Sequence, residues 1–341
     1  MSESELCNQQ TTDPLRTSQL AEQSNLRHVL ACVDTAPCAD IVLAHAAAVA
    51  KAVGACMTVI HVLQSSPAQE PMDPVEWKQR HCAATAYLHE RMLRCADLHA
   101  DVVILAGPPA ERISTWAHDN AVDLIVLGRG GEDHGPFVGL GDTARRVAEV
   151  AGASVLLVPA MQAKDSPIRY RKVLVPLDGS SRSECVLPLG LGIAAVHGAE
   201  VVLVHVAPNV DLIESNLLNA EAIALRDQLC SHNERAARQY LDWLRSRLPS
   251  PLTTGTRLLP SGDARRALAH IASEENADLM VLSAAGRSGH TDMTVGSVAD
   301  YLINRIGIPV LLVRQHKRNL PRGHREQCHA MDARLPNQGI I

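Results

Sequence analysis

A chain of 341 residues with 46% hydrophobic residues is long enough for two domains of ordinary size, each with its own core. The formal net charge of −5 excludes a general attraction to nucleic acid or to an anionic membrane. Only eight residues are aromatic (three Trp, four Tyr and one Phe), so we expect aliphatic cores and no stacking platform for single-stranded nucleic acid.

The cysteines and the first residues bear on the cellular compartment. Nine cysteines are scattered through the chain without a Cys-x-x-Cys pair, as is typical of a reducing compartment without a disulfide framework. Residues 1–25 are polar and lack the apolar core of a signal peptide. Uninterrupted apolar stretches stay well below the roughly 18 residues of a membrane span. We therefore predict a cytoplasmic protein without a membrane partner.

Residues 26–160 follow a predicted disordered leader at 1–25 and alternate between strand and helix patterns. The strands that we predict are short apolar runs of the kind buried on both faces of a sheet, and they lie at residues 27–33, 56–63, 102–105, 124–127 and 155–158. The helices predicted between them lie at residues 37–53, 74–95 and 108–120, with a further helix after the fourth strand. This alternation predicts a parallel sheet covered by helices on both faces.

Residues 169–315 repeat the pattern after a polar linker at 161–168. The predicted strands lie at residues 173–177, 201–206, 254–259, 279–282 and 310–313, and the predicted helices at 184–196, 212–247, 264–275 and 297–306. We predict that the tail at 316–341 is disordered. Its potential metal ligands lack the spacing of a tetrahedral site, so we expect no metal there; they are His316, His324, Cys328 and His329.

The two parts, repeat one (26–160) and repeat two (169–315), are copies of one pattern. Gly141 matches Gly296 at an offset of 155 residues, and Asp34 matches Asp178 at an offset of 144. Repeat two therefore carries 11 additional residues (155−144) between its second and fourth strands. The duplication predicts an α/β protein with two tandem, doubly wound, five-stranded parallel sheets. We expect the two fifth strands to meet, because each would otherwise be an unpaired edge.

A glycine-bearing loop between the fourth strand and the next helix is the candidate ligand site. Glycines let the backbone approach a phosphate, and the free N–H groups of a helix N-terminus point at it. In repeat two this loop carries Gly286, Gly289 and Gly296, and Ser297 could either cap the helix or donate to an anion. Ligands of doubly wound sheets bind beyond the carboxyl ends of the strands, so Asp178 should face the same crevice.

At this point the chain resembles the universal stress protein family in its tandem form. The resemblance rests on residues 173–180 (VLVPLDGS), on His205-Val206, on 278–282 and on the glycine loop. ATP-binding members of the family show Gly-x2-Gly-x9-Gly-[Ser/Thr] after the fourth strand. The corresponding residues of repeat two are Ser283, Gly286, Gly296 and Ser297, and those of repeat one are Gly128, Gly131, Gly141 and Asp142.

The resemblance implies a Rossmann-like fold of the adenine nucleotide alpha hydrolase type. It implies that Asp34 and Asp178 contact the nucleotide and that the backbone of Val62 and Val206 meets adenine. ATP accompanied by Mg²⁺ would be the ligand, and the two repeats would form a pseudo-dimer within one chain. Further association into a homo-oligomer and the identity of a protein partner stay open.

Each candidate residue also has a purely structural interpretation. Asp178 could begin a turn with Gly179 and Ser180, and the glycine loop of repeat two could be a tight loop without a ligand. We expect His61 and His205, each near the end of a strand, to be buried and hydrogen-bonded rather than to act as ligands or bases.

Three functions remain open, and the first is the leading hypothesis. It is an ATP-binding stress-response or signalling module that is not an efficient enzyme, because no Gly-Lys-[Ser/Thr] motif, positioned lysine or catalytic base accompanies either loop. The alternative is a nucleotide-free scaffold whose long helices dock a partner, and the third is a slow ATPase or nucleotidyl transferase. Repeat one has Asp142 where the family has a hydroxyl, so we expect repeat two to bind nucleotide more tightly.

Overall fold

The computed structural model describes residues 26–35, 38–64, 74–94, 100–130, 139–159, 168–208, 220–249, 252–285 and 295–314. The predicted leader, the tail from 316 and all but the last residue of the predicted linker lie outside these ranges. The strands of repeat one are β1 (His28–Cys32), β2 (Cys56–Leu63), β3 (Asp101–Ala106), β4 (Leu124–Gly128) and β5 (Ser154–Val158). Its helices are α1 (Ala39–Val53), α2 (Pro74–Arg94), α3 (Pro109–Asp119) and α4 (Asp142–Val150).

Repeat two has the same order of elements. Its strands are β6 (Lys172–Leu177), β7 (Glu200–Val206), β8 (Thr254–Leu259), β9 (Leu279–Ser283) and β10 (Val310–Val313). Its helices are α5 (Ser181–Glu184), α6 (Leu187–His197), α7 (Ala220–Arg247), α8 (Ala264–Glu274) and α9 (Ser297–Arg305). None of the helices in the described ranges has the length and apolar character needed to cross a membrane.

All ten strands form one continuous sheet in the order β3-β2-β1-β4-β5-β10-β9-β6-β7-β8. Pairing is parallel within each repeat, and β5 pairs antiparallel with β10 at the centre. The predicted pairing of the fifth strands and the predicted α/β fold are thus confirmed. Both strands are fully buried, because each covers what would otherwise be the open edge of the other repeat.

The register between β5 and β10 has the symmetry of the duplication. Leu156 lies opposite Leu311, which is its own equivalent at the offset of 155 (311−156). On one side of this central pair, Val155 lies opposite Leu312. On the other side, the residues at the equivalent positions of the two repeats lie opposite each other in the same way, which completes the symmetry. The pseudo-twofold axis that relates the repeats therefore passes between Leu156 and Leu311.

A duplicated carboxylate contact joins the first and fourth strands of each repeat. Oδ2 of Asp123 accepts hydrogen bonds from the backbone amides of Arg27 and His28, at 2.8 and 3.1 Å. Asp278 accepts from the two amides at the start of β6, at 2.8 and 2.9 Å. Asp123 is buried and Asp278 is half-buried, and each carboxylate holds two strands in register at their amino ends, which leaves the carboxyl ends for a ligand.

The hydrophobic core lies on both faces of the sheet, and each face is shared by the two repeats. On one face α1 of repeat one packs with α6 of repeat two, so Leu43 and Ile193 belong to one cluster. On the other face the cluster contains Val147 of α4 and Leu302 of α9. Because the apolar clusters cross the boundary, the repeats stabilise each other.

In the part of the chain that the structure describes, the helix predicted at residues 184–196 differs from the observed helices in form. The structure has a short helix α5 and a separate helix α6 instead. The Oγ atom of Ser180 accepts a hydrogen bond from the Ser183 amide at 3.2 Å, which starts α5 early. Pro188 lies at the start of α6 and has no N–H for an i→i−4 hydrogen bond, so the ladder restarts there.

Candidate functional site

A cavity of about 290 Å³ lies beyond the carboxyl ends of β1, β2 and β4 in repeat one. Asp34, Val62, Gly128 and Gly141 all line it. Four of the residues predicted for repeat one are therefore brought together from separate elements. The fifth, Gly131, lies outside the described residues.

The sheet topology explains why these residues converge. β1 pairs with β2 on one side and with β4 on the other, so the strand order reverses between β1 and β4. Asp34 follows β1 and is exposed, Val62 is near the end of β2, and Gly128 ends β4. A ligand site at this reversal is the general arrangement of open parallel sheets.

The loop of repeat one is closed by the backbone of Arg129. Its amide donates to the carbonyl of Val158 at 2.8 Å, and its carbonyl accepts from the amide of Gly141 at 2.6 Å. Gly141 is the N-cap of α4 and has extended backbone angles. The first turn of α4, whose N–H groups have no partner within the helix, therefore faces the cavity.

Two side chains at the start of α4 line the cavity. Asp142 is exposed and is the first residue of the helix, as predicted. Thr143 also lines the cavity, and the sequence analysis missed it. The signal was present, because Thr143 supplies a hydroxyl one position after the place where the family pattern requires one. Repeat one therefore combines an unfavourable carboxylate with a hydroxyl at the anion-binding end of the cavity.

The guanidinium of Arg129 is held by the other repeat. Nη1 donates to the carbonyl of Ile303 at 2.6 Å and Nη2 to the carbonyl of Ile306 at 2.5 Å. The residue is 8% exposed, and burial lowers the pKa of Arg129 to about 10, so the group stays charged at neutral pH. Two donors of this charged group are thus engaged at the C-terminal end of α9.

In repeat two, Asp178 forms the turn that the structural interpretation anticipated. Its Oδ1 accepts from the amide of Ser180 at 2.9 Å and from the Ser180 hydroxyl at 2.6 Å. Gly179 between them has a φ of +77°, a conformation that favours glycine. Asp178 is half-buried at the end of β6, and a contact between its carboxylate and a nucleotide stays a prediction.

The strand end before the glycine loop of repeat two is also ordered by local hydrogen bonds. The Ser283 hydroxyl donates to the carbonyl of Ala285 at 2.8 Å, so it stabilises the beginning of the loop. Val206 is half-buried and ends β7, in the position that corresponds to Val62. Gly286 and Gly289 lie outside the described residues.

The helix start in repeat two corrects one prediction. Gly296 is the N-cap of α9, so the hypothesis that Ser297 caps the helix is wrong. Ser297 is the first helical residue and is exposed. The amide of Gly296 donates to the carbonyl of Ala284 at 2.7 Å, which reproduces the loop closure of repeat one. Ser297 thus keeps the role of a candidate donor to an anion.

The two strand-end histidines are hydrogen-bonded, as expected. Nδ1 of His61 lies 2.7 Å from the carbonyl oxygen of Val33, and Nδ1 of His205 lies 2.8 Å from that of Leu177. A carbonyl only accepts, so Nδ1 carries the proton in both rings. Each ring fixes the backbone immediately before the aspartate of its repeat. In the described ranges, no group of three or more His, Cys, Asp or Glu side chains is arranged to hold a metal ion.

Comparison with known proteins agrees with the duplication. The universal stress protein family model matches residues 25–159 and again 169–314. Universal stress protein Rv2005c of Mycobacterium tuberculosis is 26% identical over 270 residues, which cover 76% of this chain and 87% of the relative.

Solved structures support the fold over most of the chain. Protein PA1789 of Pseudomonas aeruginosa, whose function is unknown, superposes with a TM-score of 0.62 at 14% identity and covers 86% of this chain and 94% of its own. A universal stress protein of Archaeoglobus fulgidus gives a TM-score of 0.57 at 18% identity, over 84% of this chain and 98% of its own. With both halves matched by the family model and joined through their fifth strands, this chain belongs to the universal stress protein family in its tandem, two-domain form.

Proposed function

We propose that this chain is an adenine-nucleotide-binding module of a cytoplasmic stress response or signalling pathway. In this proposal the bound nucleotide serves as a signal. The observation that carries this proposal is the cavity of repeat one, where Asp34, Val62, Gly128 and Gly141 meet. These residues come from four separate places in the sequence, and the family resemblance assigns each of them to the nucleotide.

The shape and polarity of the cavity suit a nucleotide. Its volume of about 290 Å³ lies just below the range of about 300–1,000 Å³ that is usual for small-molecule sites. Apolar side chains such as Val42, Ile60 and Ile113 line it and suit a base. The first turn of α4 lines it as well, and the unpaired N–H groups of that turn suit phosphates.

Magnesium would come with the nucleotide. Proteins hold Mg²⁺ through one or two carboxylates together with substrate phosphates and water, rather than in an all-protein cage. The described residues contain no such cage, and Asp142 is the carboxylate at the phosphate end of the repeat-one cavity. The phosphate oxygens of ATP, together with water, would therefore supply most of the ligands of the ion.

The side chains around the cavity favour retention of nucleotide over turnover. Neither lysine nor histidine is among the described residues that line it. Cys32 does line the cavity, but burial raises the pKa of its thiol, so it is not a thiolate nucleophile at neutral pH. Arg129 also lines the cavity, but two donors of its guanidinium bind the carbonyls of Ile303 and Ile306, which leaves this cation less able to stabilise a transferring phosphoryl group.

Calorimetric titration of the full-length protein tests the proposal. ATP, ADP and AMP should each be titrated with and without Mg²⁺, and native mass spectrometry of freshly purified protein should show added nucleotide. A double variant, Gly141→Val with Gly296→Val, is the matched control, because a side chain at both N-caps blocks the approach of a phosphate to the backbone. The proposal fails if wild-type protein and double variant give the same heats up to millimolar nucleotide.

The helix α7 supports a second candidate function, a nucleotide-free scaffold. Its well-buried residues, Ala237, Leu241 and Leu244, lie in its second half, whereas Leu225 and Leu229 in its first half are 53% and 41% exposed. Such side chains suit a protein partner. This candidate would be favoured if the purified protein carries no nucleotide and if titration with nucleotide detects no binding. Hydrolysis of labelled ATP above the level of the Gly296→Val variant would instead indicate a slow ATPase or nucleotidyl transferase.

A further inference from the structure

Arg129 links the ligand loop of repeat one to a helix of repeat two. Its carbonyl accepts from the amide of Gly141, which joins the two ends of the loop, and its amide donates to the carbonyl of Val158 at the end of β5. Its side chain spans the boundary between the repeats and binds the carbonyls of Ile303 and Ile306. One residue thus connects the cavity of repeat one with the C-terminal end of α9.

The partners of the guanidinium explain why this contact is strong. The last carbonyls of a helix have no partner within the helix, and the helix dipole makes that end negative. Arg129 supplies two charged donors to two such carbonyls in a site where Ile303 and Ile306 are themselves buried. Charge-assisted hydrogen bonds of this kind are stronger than neutral ones.

Asn304 of α9 provides a second, independent contact to the same loop. Its Oδ1 accepts from the amide of Leu140 at 3.0 Å, and its Nδ2 donates to the carbonyl of Asp300 at 2.7 Å, which fixes the orientation of the amide. A Cβ added to Gly139 would lie 3.2 Å from that Oδ1, so the loop approaches α9 closely here. Both ends of the described loop are therefore held by α9.

The equivalent positions of the other repeat differ. Ala284 occupies the position of Arg129 (284−129 = 155), and exposed Glu149 occupies that of Asn304 (304−149 = 155). The C-terminal end of α4 is instead bound by Arg314, which donates to the carbonyl of Ala148, the equivalent of Ile303. Arg314 follows β10 and is not part of a glycine loop.

We propose that Arg129 is a positioning residue through which α9 of repeat two holds the two described ends of the ligand loop of repeat one, at Arg129 and at residues 139–141, in the arrangement that binds the ligand. The nucleotide site of repeat one is then incomplete without repeat two, a statement that rests on the proposed function. Because coupling is reciprocal, ligand in repeat one also stabilises α9, whose N-terminus is the candidate phosphate site of repeat two.

Hydrogen exchange measured by NMR on the full-length protein tests the positioning directly, without nucleotide. In an Arg129→Met variant, the amides of Gly141 and Leu140 should exchange at least tenfold faster than in the wild type. Arg314→Met is the matched control, because it removes an arginine from the equivalent helix end; it should accelerate exchange at Ala151, near the end of α4, and leave Gly141 unchanged. Unchanged exchange at Gly141 in folded Arg129→Met overturns the proposal.

A second variant guards against a folding defect in the first. Asn304→Ala keeps the buried arginine and should accelerate exchange at Leu140 alone, because only that amide loses its acceptor. Equal exchange at Leu140 in Asn304→Ala and in the wild type overturns the second contact and, with it, the proposal that α9 holds both ends of the loop.

Nucleotide titration separates this proposal from the proposed function. In a Gly296→Val background, which leaves repeat one as the binding site, Arg129→Met should weaken ATP binding on the order of tenfold, within the usual range of 5- to 150-fold for coupled sites. Arg129→Lys should recover part of the loss, because an ammonium can bind one of the two carbonyls. An unchanged Kd in Arg129→Met overturns the positioning role. Faster exchange together with no binding by the wild type supports the anchor and overturns the proposed function.

Discussion

Nδ1 of His45 lies 2.8 Å from the hydroxyl oxygen of Tyr170, across the boundary between the two repeats. His45 belongs to α1, and Tyr170 precedes β6; they are 6% and 1% exposed. The ring of His197, at the end of α6, packs against Tyr170 in an edge-on geometry with centroids 5.0 Å apart. Two histidines and a tyrosine thus form a buried polar cluster between helices of different repeats.

Because of this cluster, we expect the free energy of unfolding to be lower in mild acid than at neutral pH. Burial lowers the pKa of His45 to about 4 from an ordinary value of 6.5, and burial also lowers the pKa of His197. Between pH 6.5 and pH 4 the unfolded chain binds a proton at position 45 that the folded protein does not, so the free energy of unfolding falls as the pH falls. Over this pH range, protonation at position 45 alone should lower the free energy of unfolding by up to about 3 kcal/mol.

Urea denaturation at a series of pH values checks this prediction. A His45→Gln variant should be less stable at pH 7 and should lose less stability than the wild type between pH 6.5 and pH 4. His118→Gln, at an exposed position of α3, is the control and should keep the wild-type slope. Parallel curves for His45→Gln and the wild type would contradict the assignment.

Asp142 is expected to weaken nucleotide binding in repeat one. A carboxylate about 4 Å from a phosphate charge costs roughly 1 kcal/mol in water and about 4 kcal/mol at an effective dielectric constant of 20. Asp142→Ser, measured by titration in the Gly296→Val background, should therefore improve ATP affinity by at least about fivefold. Glu149→Ser, near the other end of α4, removes the same charge far from the phosphates and should change the affinity little.

Repeat two is expected to bind nucleotide more tightly than repeat one. Ser297 takes the place of Asp142, and its hydroxyl can donate to a phosphate. The engagement of Arg129 by α9 strengthens the expectation, because two donors of this cation bind carbonyls and are not available to a phosphate in repeat one. Comparison of Gly141→Val with Gly296→Val measures each site in turn within the full chain. A tighter Kd in Gly296→Val than in Gly141→Val would contradict this prediction.

Truncation of a side chain at the centre of the sheet should strongly lower the free energy of unfolding. Leu156 is fully buried opposite Leu311, so Leu156→Ala should lower the free energy of unfolding by about 2–5 kcal/mol. Val150→Ala is the control, because Val150 is 72% exposed and its truncation should stay within about 0.5 kcal/mol. Urea denaturation measures both, and similar losses for the two variants would show that the central pair does not hold the repeats together.

The order of helices and strands could be predicted from local sequence patterns, because apolar runs, glycines and the duplication are visible in the sequence itself. The apolar runs of the two fifth strands also predicted that these strands pair, since an unpaired apolar edge is unfavourable. The break between α5 and α6 was missed because Pro188 interrupts an apolar pattern that otherwise suits one continuous helix.

The sequence by itself determined which residues could surround a ligand in repeat one, because the carboxyl ends of parallel strands must share an edge of the sheet. Only the tertiary structure decided where the charges point. Arg129 lies in the ligand loop, yet its guanidinium binds carbonyls 174 and 177 residues away. The direction of such a side chain depends on the packing of elements that are distant in sequence. That packing cannot be inferred from the local periodicity of the sequence.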